Sequence, residues 1–380
     1  MLLAAAVPVH AQQSTRANEI AAEQAAKATT LASEEPARWE QLIGRLRLGI
    51  SPEGFYPWIG SVFPGGGLAL GVGYQHHLPK GAVVGVSGGW SGKNYKMVEG
   101  RAGVPLQRDN RVRVDGYARW TDAPIVRFYG LGPDSNEDDL VRFGYQPVTA
   151  AVMLTAWPQS WLRLRTGYDR LLADTTEDEP LRGFSLAETP GLLDDLTYNV
   201  LRAGVAIDTR TSPDYSDHGG LYRFDWTRFA ESDDRPYSFD QAEVEFSQLV
   251  PLVGRYFVLA FRGLGTFTDP GSGGQVPIVL APYVGSSSTV RAFHNRRFQD
   301  RHRVVLNGEY RWQPSRYLNM AVFYDAGQVA PDVDRFRMRD FVSAWGIGAR
   351  FHGPTFTVLR LELARGREGW ILVAGGSQPF

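Results

Sequence analysis

The sequence has no cysteine, no long apolar run and almost no net charge. Its 380 residues include 40 Lys and Arg and 41 Asp and Glu, giving a formal net charge of -1. Phosphate binding needs clustered excess basic residues, so this balance argues against a nucleic-acid surface. No window approaches the roughly 18 consecutive apolar residues of a membrane helix, which excludes a helical membrane protein. The absence of cysteine agrees with an oxidising envelope compartment but does not exclude the cytosol.

The first 44 residues differ in composition from the rest of the chain. The opening MLLAAAVPVHAQQ has an apolar run and small residues at Val9 and Ala11, which predicts a signal peptide over residues 1–11 without a basic n-region. Residues 12–44 are Ala-rich and polar, with helix formers up to Pro36. Two interpretations stay open for this segment on the periplasmic side: a helix against or inside a barrel mouth, and a flexible tether.

Alternation of polar and apolar residues begins after residue 44. In RVRVDGYARW, residues 111–120, and in RVVLNGEYRW, residues 303–312, the polar side chains fall on one face of a strand and the apolar side chains largely on the other. A soluble sandwich would show the same pattern with the apolar face buried. Charges on strand after strand, with Trp and Tyr near the strand ends, favour a membrane barrel with a wet lumen.

Sixteen segments carry this pattern. They are residues 45–51, 68–77, 82–90, 93–104, 111–121, 145–156, 160–170, 197–208, 219–229, 240–250, 254–265, 301–312, 317–326, 342–351, 355–364 and 369–380. An even number suits a bacterial barrel with both termini on the periplasmic side. We therefore predict an all-β fold, a transmembrane antiparallel β-barrel of sixteen strands over residues 45–380. Its longest connection, residues 266–300, is expected to be extracellular.

Two carboxylates are predicted to face the lumen from neighbouring strands. The alternation places Glu309 on the inward face of the twelfth strand and Asp325 on that of the thirteenth. Like charges in a confined site need a cation, and a guanidinium offers a fork of donors suited to carboxylates. The long connection supplies Arg291, Arg296 and Arg297 directly before the twelfth strand. We therefore expect this loop to fold back into the lumen as a plug pinned by ions.

These stretches resemble a known family. TVRAFHNRRF, Glu309 in the next strand and VFYDAGQV are together similar to the signatures of the BamA/TamA-like bacterial surface antigen superfamily. The resemblance implies a sixteen-stranded barrel that inserts or translocates outer-membrane proteins. It also implies that Arg291 bonds Glu309 and Asp325. The remaining motif positions are Val290, Phe293, Phe323 and Gly327.

Further stretches agree with this resemblance, and two features depart from it. RFYGLGPDS from Arg127, DTRTSPDYSDHGG from Asp208 and the final Phe380 match family segments. Ala292 replaces the usual glycine of the loop motif, which predicts strain if the position needs a positive φ. The periplasmic POTRA domains that precede the barrel in the family are missing from residues 12–44, so we expect a separate periplasmic partner to replace them.

The resemblance implies a bacterial outer-membrane protein that assists insertion, folding or export of polypeptides. Its partners would be outer-membrane lipid and unfolded outer-membrane or exported polypeptides. A weak seam between the first and last strands is predicted from Gly375, Gly376, Pro379 and Phe380, because proline lacks a ladder donor and glycine lacks packing. The alternative is a passive plugged pore or a membrane-perturbing barrel. No coenzyme motif, metal site or catalytic residue is expected.

Three motifs have weaker functional interpretations. GVSGG, residues 85–89, matches the nucleophile elbow of hydrolases, but Ser87 lies within an alternating strand, whereas an elbow turns into a helix. His76 and His77 are adjacent in a strand and point to opposite faces, so they are not expected to chelate one metal. The acidic run ADTTEDEP, residues 173–180, fits no known cation loop and is interpreted as a solvated loop tip.

Overall fold

The computed structural model describes residues 53–107, 109–177, 184, 189–212, 215–254, 256–315, 317–353 and 357–380. The predicted signal peptide, the segment 12–44 and the predicted first strand 45–51 lie outside these residues. The strands of the main sheet are β1 (Gly54–Gly60), β2 (Ala69–His77), β3 (Val83–Ser91), β4 (Lys96–Pro105), β5 (Val112–Phe128), β6 (Val141–Gln159), β7 (Leu162–Glu177), β8 (Leu196–Asp208), β9 (Gly219–Glu231), β10 (Phe239–Val253), β11 (Phe257–Asp269), β12 (His302–Ser315), β13 (Leu318–Ala330), β14 (Val342–His352), β15 (Thr357–Gly366) and β16 (Gly369–Gly375).

The sixteen strands follow one another in chain order, and each pairs antiparallel with the next. This architecture confirms the predicted sixteen-stranded antiparallel transmembrane β-barrel. The helical elements in the described residues are four short 3-10 turns, Pro79–Gly81, Glu137–Asp139, Val333–Arg335 and Met338–Asp340. None of the helices in this part of the chain has the length and apolar character needed to cross a membrane.

The two faces of the wall differ in chemistry, as the alternation predicts. On β8, Leu201 and Val205 remain exposed on the outer face, where lipid would cover them. The neighbouring Arg202 instead lies inside, with its Nε 2.5 Å from Asp169 on β7. Apolar side chains outside and charged pairs inside are the pattern of a membrane barrel with a polar lumen.

Ion pairs link successive strands along the lumen wall. Arg223 on β9 contacts both Glu243 and Glu245 on β10, each at 2.7 Å. Glu245 in turn receives a 2.7 Å hydrogen bond from Arg262 on β11, and Arg303 on β12 reaches Glu243 at 3.1 Å. Charges of opposite sign therefore bond inside the barrel, both between adjacent strands and, for Arg303 and Glu243, across β11.

The connection between β11 and β12, residues 270–301, lies inside the barrel. Tyr283–Val284 and Phe298–Gln299 pair as a two-stranded ladder within it. At its tip, Asn295 donates to the carbonyl of Pro64 between β1 and β2. We call residues 270–301 the inserted loop. The loop end is the end of the barrel at which this loop leaves the strands. A loop surrounded by strands from both halves of the sheet fills part of the lumen.

The ends of the sheet differ from the prediction. The first described strand, Gly54–Gly60, was not predicted, because Pro57 and the terminal glycines obscure its alternation. The last strand was predicted to run over 369–380 but ends at Gly375. Residues 376–380 turn inward, where Phe380 packs beside Leu249, Val258 and Ala260 of β10 and β11. The prediction that Gly376, Pro379 and Phe380 belong to the last strand is therefore wrong.

Candidate functional site

The inserted loop is fixed to the wall by the side chain of Arg291. Its Nε and one terminal nitrogen each donate a 2.7 Å hydrogen bond to a different oxygen of Asp325 on β13. The backbone N–H of Arg291 adds a third bond of 3.2 Å to the same carboxylate. Arg291 is 1% exposed and Asp325 is fully buried. Paired donors and acceptors in this fork arrangement give both strength and a fixed orientation.

The remaining terminal nitrogen of Arg291 donates to two further carboxylates. Its Nη1 lies 2.6 Å from Glu309 on β12 and 3.0 Å from Glu362 on β15. Arg350 on β14 donates to the same two carboxylates, at 2.7 and 2.8 Å from its Nη2. One loop arginine and one wall arginine therefore share a pair of buried carboxylates, which connects the loop to four consecutive strands.

Arg311 and Arg360 complete the arrangement. Arg311 on β12 donates from Nε to Glu309 at 2.6 Å. Arg360 on β15 lies 3.4 Å from Glu362 and donates to the carbonyl of Ser287 in the loop at 3.2 Å. We call the seven residues Arg291, Glu309, Arg311, Asp325, Arg350, Arg360 and Glu362 the ion cluster. With four arginines and three carboxylates, the described cluster has one excess positive charge.

Apolar contacts surround the ion cluster on the loop side. The Arg291 guanidinium lies 3.5 Å from the centre of the Phe323 ring, a cation–π contact in a desolvated setting. Val290 and Phe293 of the loop belong to one buried apolar cluster with Phe323. A Cβ at Gly327 would stand 3.0 Å from Val290, so glycine at this position lets the loop approach β13 closely.

Ala292 takes the place of the glycine usual in the family motif without backbone strain. Six non-glycine residues in the described part of the chain have positive φ, and Ala292 is not one of them. Its Cβ instead faces Gly366 on β15, where an added Cβ would stand only 3.0 Å away. A small residue on the wall therefore accommodates the larger residue on the loop.

The YGLG segment gives the loop a second attachment. Gly132 donates its N–H to the carbonyl of Gln299 at 2.9 Å. In the same β5–β6 connection, Ser135 accepts hydrogen bonds from Arg297 at its hydroxyl and its carbonyl, at 3.0 and 2.8 Å. Gly130 and Gly132 both have positive φ, near 93°. These two glycines thus turn the β5–β6 connection onto the loop.

The structure brings together Arg291, Glu309 and Asp325, the three residues predicted to contact one another. Sequence reasoning did not identify Arg311, Arg350, Arg360 and Glu362 as members of the same cluster. The available signal was alternation, because Arg360 and Glu362 share a face in the segment TVLRLELAR. Alternation gives the face of a strand but not the height along the barrel, so it does not show that these charges meet.

Of the four predicted seam residues, one lies in β16 and three lie after it. Gly375 ends β16 opposite Arg360, and a Cβ added at Gly375 would stand 3.2 Å from the Arg360 guanidinium. Gly376 and Pro379 follow the strand. Arg311 lies 5.0 Å from the ring of Phe380. The residues after β16 therefore extend toward the ion cluster inside the barrel, where Gln378 accepts a 3.1 Å bond from Arg350.

The three weaker motifs agree only in part with their predictions: Ser87 lies within a strand as expected, whereas the two histidine rings, expected on opposite faces, reach one carboxylate. Ser87 stands in the middle of β3, opposite Gly73 and Glu99 on the two neighbouring strands. His76 and His77 end β2, and the Nδ1 atoms of both rings contact the carboxylate of Glu53, at 2.5 and 2.7 Å. These bonds hold the pKa of Glu53 at about 2, chiefly through the His77 ring. The interpretation of residues 173–180 as a solvated loop tip is wrong for residues 173–177, which end β7 with Ala173 and Thr175 buried; residues 178–180 lie outside the described part.

The described residues offer no obvious cation site. Among them, no group of three His, Asp or Glu side chains is arranged to hold a metal ion.

Comparison with known proteins agrees with this geometry. Residues 108–367 match the model of the Omp85 superfamily domain. The fold resembles that of BamA from Haemophilus ducreyi lacking POTRA domains 1-3, with a TM-score of 0.63 and 14% identity over 84% of this chain and 69% of that one. CdiB from Escherichia coli gives a TM-score of 0.56 at 14% identity over 87% and 67% of the chains.

A third structure extends the same comparison. CdiB from Acinetobacter baumannii has a TM-score of 0.55 at 11% identity and covers 84% of this chain, which spans only 57% of that protein. No curated protein matches the sequence significantly. The family match covers more than half of the residues and includes the ion cluster and the inserted loop. The chain therefore belongs to the Omp85 superfamily.

Proposed function

We propose that this barrel lies in the bacterial outer membrane and assists the insertion, folding or export of polypeptides there. The observation that carries the proposal is that some strands of the barrel wall are held more firmly than others. The ion cluster ties the loop to β12, β13, β14 and β15, whereas β1 and β16 are only seven residues long. The strands tied by the ion cluster resist deformation, whereas the terminal strands are short. The barrel wall would therefore open at the junction of β1 and β16, which we call the seam.

The short lengths of the terminal strands support a seam that opens. Strand β6 has 19 residues, so β1 and β16 offer less than half as many ladder positions. Pro57 removes one backbone donor from β1. An unpaired strand edge presents a row of N–H and C=O groups that can template another strand by β-augmentation. An unfolded client could therefore pair with this edge before it leaves into lipid.

The proposed partners follow from this mechanism. Exposed apolar side chains such as Leu70, Val152 and Leu372 would face membrane lipid. The clients would be unfolded outer-membrane or exported polypeptides, recognised by backbone pairing. We also propose a separate periplasmic partner that delivers these clients to the barrel.

The proposal is tested by reconstituting the full chain in liposomes and following the folding of a urea-unfolded outer-membrane barrel by heat-modifiable gel mobility. We expect faster folding than in empty liposomes. The matched control is the same protein with a disulfide across the seam, made possible by the absence of native cysteine. Equal folding rates in liposomes with and without the barrel would contradict autonomous insertion. A rate increase only after addition of periplasmic extract would support a delivery partner.

A passive pore is the second candidate, because the loop leaves part of the lumen open. A cavity of about 470 Å³ lies beside β2 to β6, and its lining includes Glu99, Arg101, Asp115 and Arg119. Single-channel recording in a planar bilayer distinguishes the two functions. A steady open conductance together with no effect on client folding would favour the pore.

We further propose that the barrel is not a hydrolase. Ser87 lies within a regular strand rather than at a turn into a helix, and a nucleophile elbow needs that turn. We expect Ser87→Ala to leave any ester-cleaving activity of the purified protein unchanged. A loss of such activity in this variant, with normal heat-modifiability, would contradict the proposal.

A further inference from the structure

The inserted loop has two parts that are held in different ways. Residues 285–293, the anchor segment, carry Arg291 and its bonds to the ion cluster. Residues 275–284, the cap segment, meet the wall mainly through apolar side chains. Val276, Ile278 and Val279 are buried among aromatic and aliphatic side chains of β5 to β10 at the loop end. Two backbone bonds add to this contact, from Ile278 to Pro190 and from Gln275 to Pro236.

Arg296 lies beneath the cap segment and is buried without a carboxylate partner in the described residues. It is 5% exposed. One terminal nitrogen donates to the carbonyl of Ile278, and its Nε has no hydrogen-bond acceptor. The nearest aromatic ring is that of Tyr283, 5.0 Å from the guanidinium. A buried charge without a counter-charge carries a large desolvation cost.

The backbone at Arg296 adds to this cost. Its φ is +62°, in the left-handed region that non-glycine residues rarely adopt, and its N–H bonds the carbonyl of Gly285. Such conformations persist only where surrounding contacts impose them. The inserted loop therefore holds Arg296 in an unfavourable backbone conformation, and the cap segment covers its side chain.

The next residue, Arg297, shows a buried arginine of this loop that has a carboxylate partner. Arg297 is equally buried, but its Nε lies 2.9 Å from Glu368. Its terminal nitrogens donate to Ser135, and its guanidinium stacks 4.4 Å from the centre of the Phe298 ring. The adjacent arginines thus differ in whether a carboxylate offsets the buried charge, and of the two only Arg296 has a positive φ.

We propose that Arg296 makes the cap segment a releasable gate on the lumen, while the ion cluster keeps the anchor segment in place. When the cap segment lifts from the wall, water reaches the guanidinium of Arg296, and this hydration offsets part of the apolar contact that is lost. Arg297 gains no comparable hydration, because its partners Glu368 and Ser135 lie outside the cap segment and stay in contact with it when the cap segment lifts. This gate at the loop end does not depend on the seam or on any insertion activity.

The gate is tested with single cysteines that report on each part of the loop. Ile278→Cys in the cap segment and Val290→Cys in the anchor segment replace buried side chains in a chain without native cysteine. The full-length barrel in detergent micelles is exposed to a polar maleimide, and the rate of thiol labelling is measured. Heat-modifiable gel mobility identifies the folded fraction of each variant.

We expect the cysteine at 278 to be labelled several-fold faster than the cysteine at 290. Adding Arg296→Met to Ile278→Cys should slow labelling several-fold, because an apolar side chain has no hydration to gain on opening. Adding Arg297→Met, the matched control, should not slow it. Equal rates at 278 and 290 would overturn the proposal, as would unchanged or faster labelling at 278 in the Arg296→Met variant. The comparison with Arg296→Met stands even if Arg297→Met fails to fold.

Discussion

Arg350 donates hydrogen bonds of 2.7 and 2.8 Å to the two oxygens of Glu309, across the sheet from β14 to β12. Glu309 also receives Arg291 from the loop and Arg311 from its own strand. One buried carboxylate is thus bonded by three arginines. Its charge offsets the mutual repulsion of these three guanidinium groups.

This relationship predicts that Glu309→Gln destabilises the barrel more than Arg360→Gln. The first change leaves four arginines against two carboxylates, whereas the second balances the charges. Removal of one partner from a buried ion pair costs about 3–5 kcal/mol. We expect a loss near that size for Glu309→Gln and a smaller one for Arg360→Gln. Denaturant midpoints of the two variants in the same detergent provide the measurement, and equal midpoints would contradict the prediction.

The fork between Arg291 and Asp325 predicts that lysine does not replace arginine. Lysine carries the charge but lacks the planar pair of donors. We expect Arg291→Lys to lower the fraction of heat-resistant folded barrel on gels, and Arg291→Ala to lower it further. If Arg291→Ala behaved like the wild type in heat resistance and client folding, the ion cluster would have no part in the mechanism.

Ala292 and Gly366 form a size-matched contact that predicts compensation. Gly366→Ala should destabilise the barrel by about 1–3 kcal/mol through overpacking against Ala292 and the Phe293 ring. Adding Ala292→Gly should restore part of this loss, because the added methyl then faces an empty position. A double-mutant cycle on denaturant midpoints measures the coupling. Additive effects of the two changes would contradict direct contact.

Asp300, which precedes β12, predicts a pH dependence of stability. Burial raises the pKa of its carboxyl to about 6, from an unfolded value near 3.9. A raised folded-state pKa stabilises the barrel below the unfolded value, and this contribution is lost as pH rises through about 4 to 6. Asp300→Asn should therefore remove the loss, so its advantage over the wild type should grow from pH 4 to pH 7. Thermal midpoints at both pH values test this, with Asp332→Asn as the exposed control.

Much of the fold was predictable because a barrel strand repeats every two residues. The alternation in segments 111–121 and 301–312 predicted two strands, which the structure shows as β5 and β12. The ends of the sheet were harder, since Pro57 and Gly54 interrupt the alternation of β1. The inward turn after Gly375 depends on contacts of Phe380 with β10 and β11, which are distant in sequence.

The candidate site was predictable only in part. Arg291, Glu309 and Asp325 lie in recognisable motifs, and their contacts follow from facing residues on adjacent strands. Glu362 and Arg350 join the same cluster from β15 and β14 because strand register sets their height in the lumen. Register depends on turn lengths and bulges that alternation does not reveal.

The central claim is that the seam must open for the barrel to act on a client. The most direct measurement scans cysteine pairs along β1 and β16, selects a variant that forms a disulfide, and compares its effect on client folding in liposomes before and after reduction. We predict that the oxidised barrel gives the rate of empty liposomes and that reduction restores the wild-type rate. Full acceleration of client folding by the oxidised barrel would contradict the account.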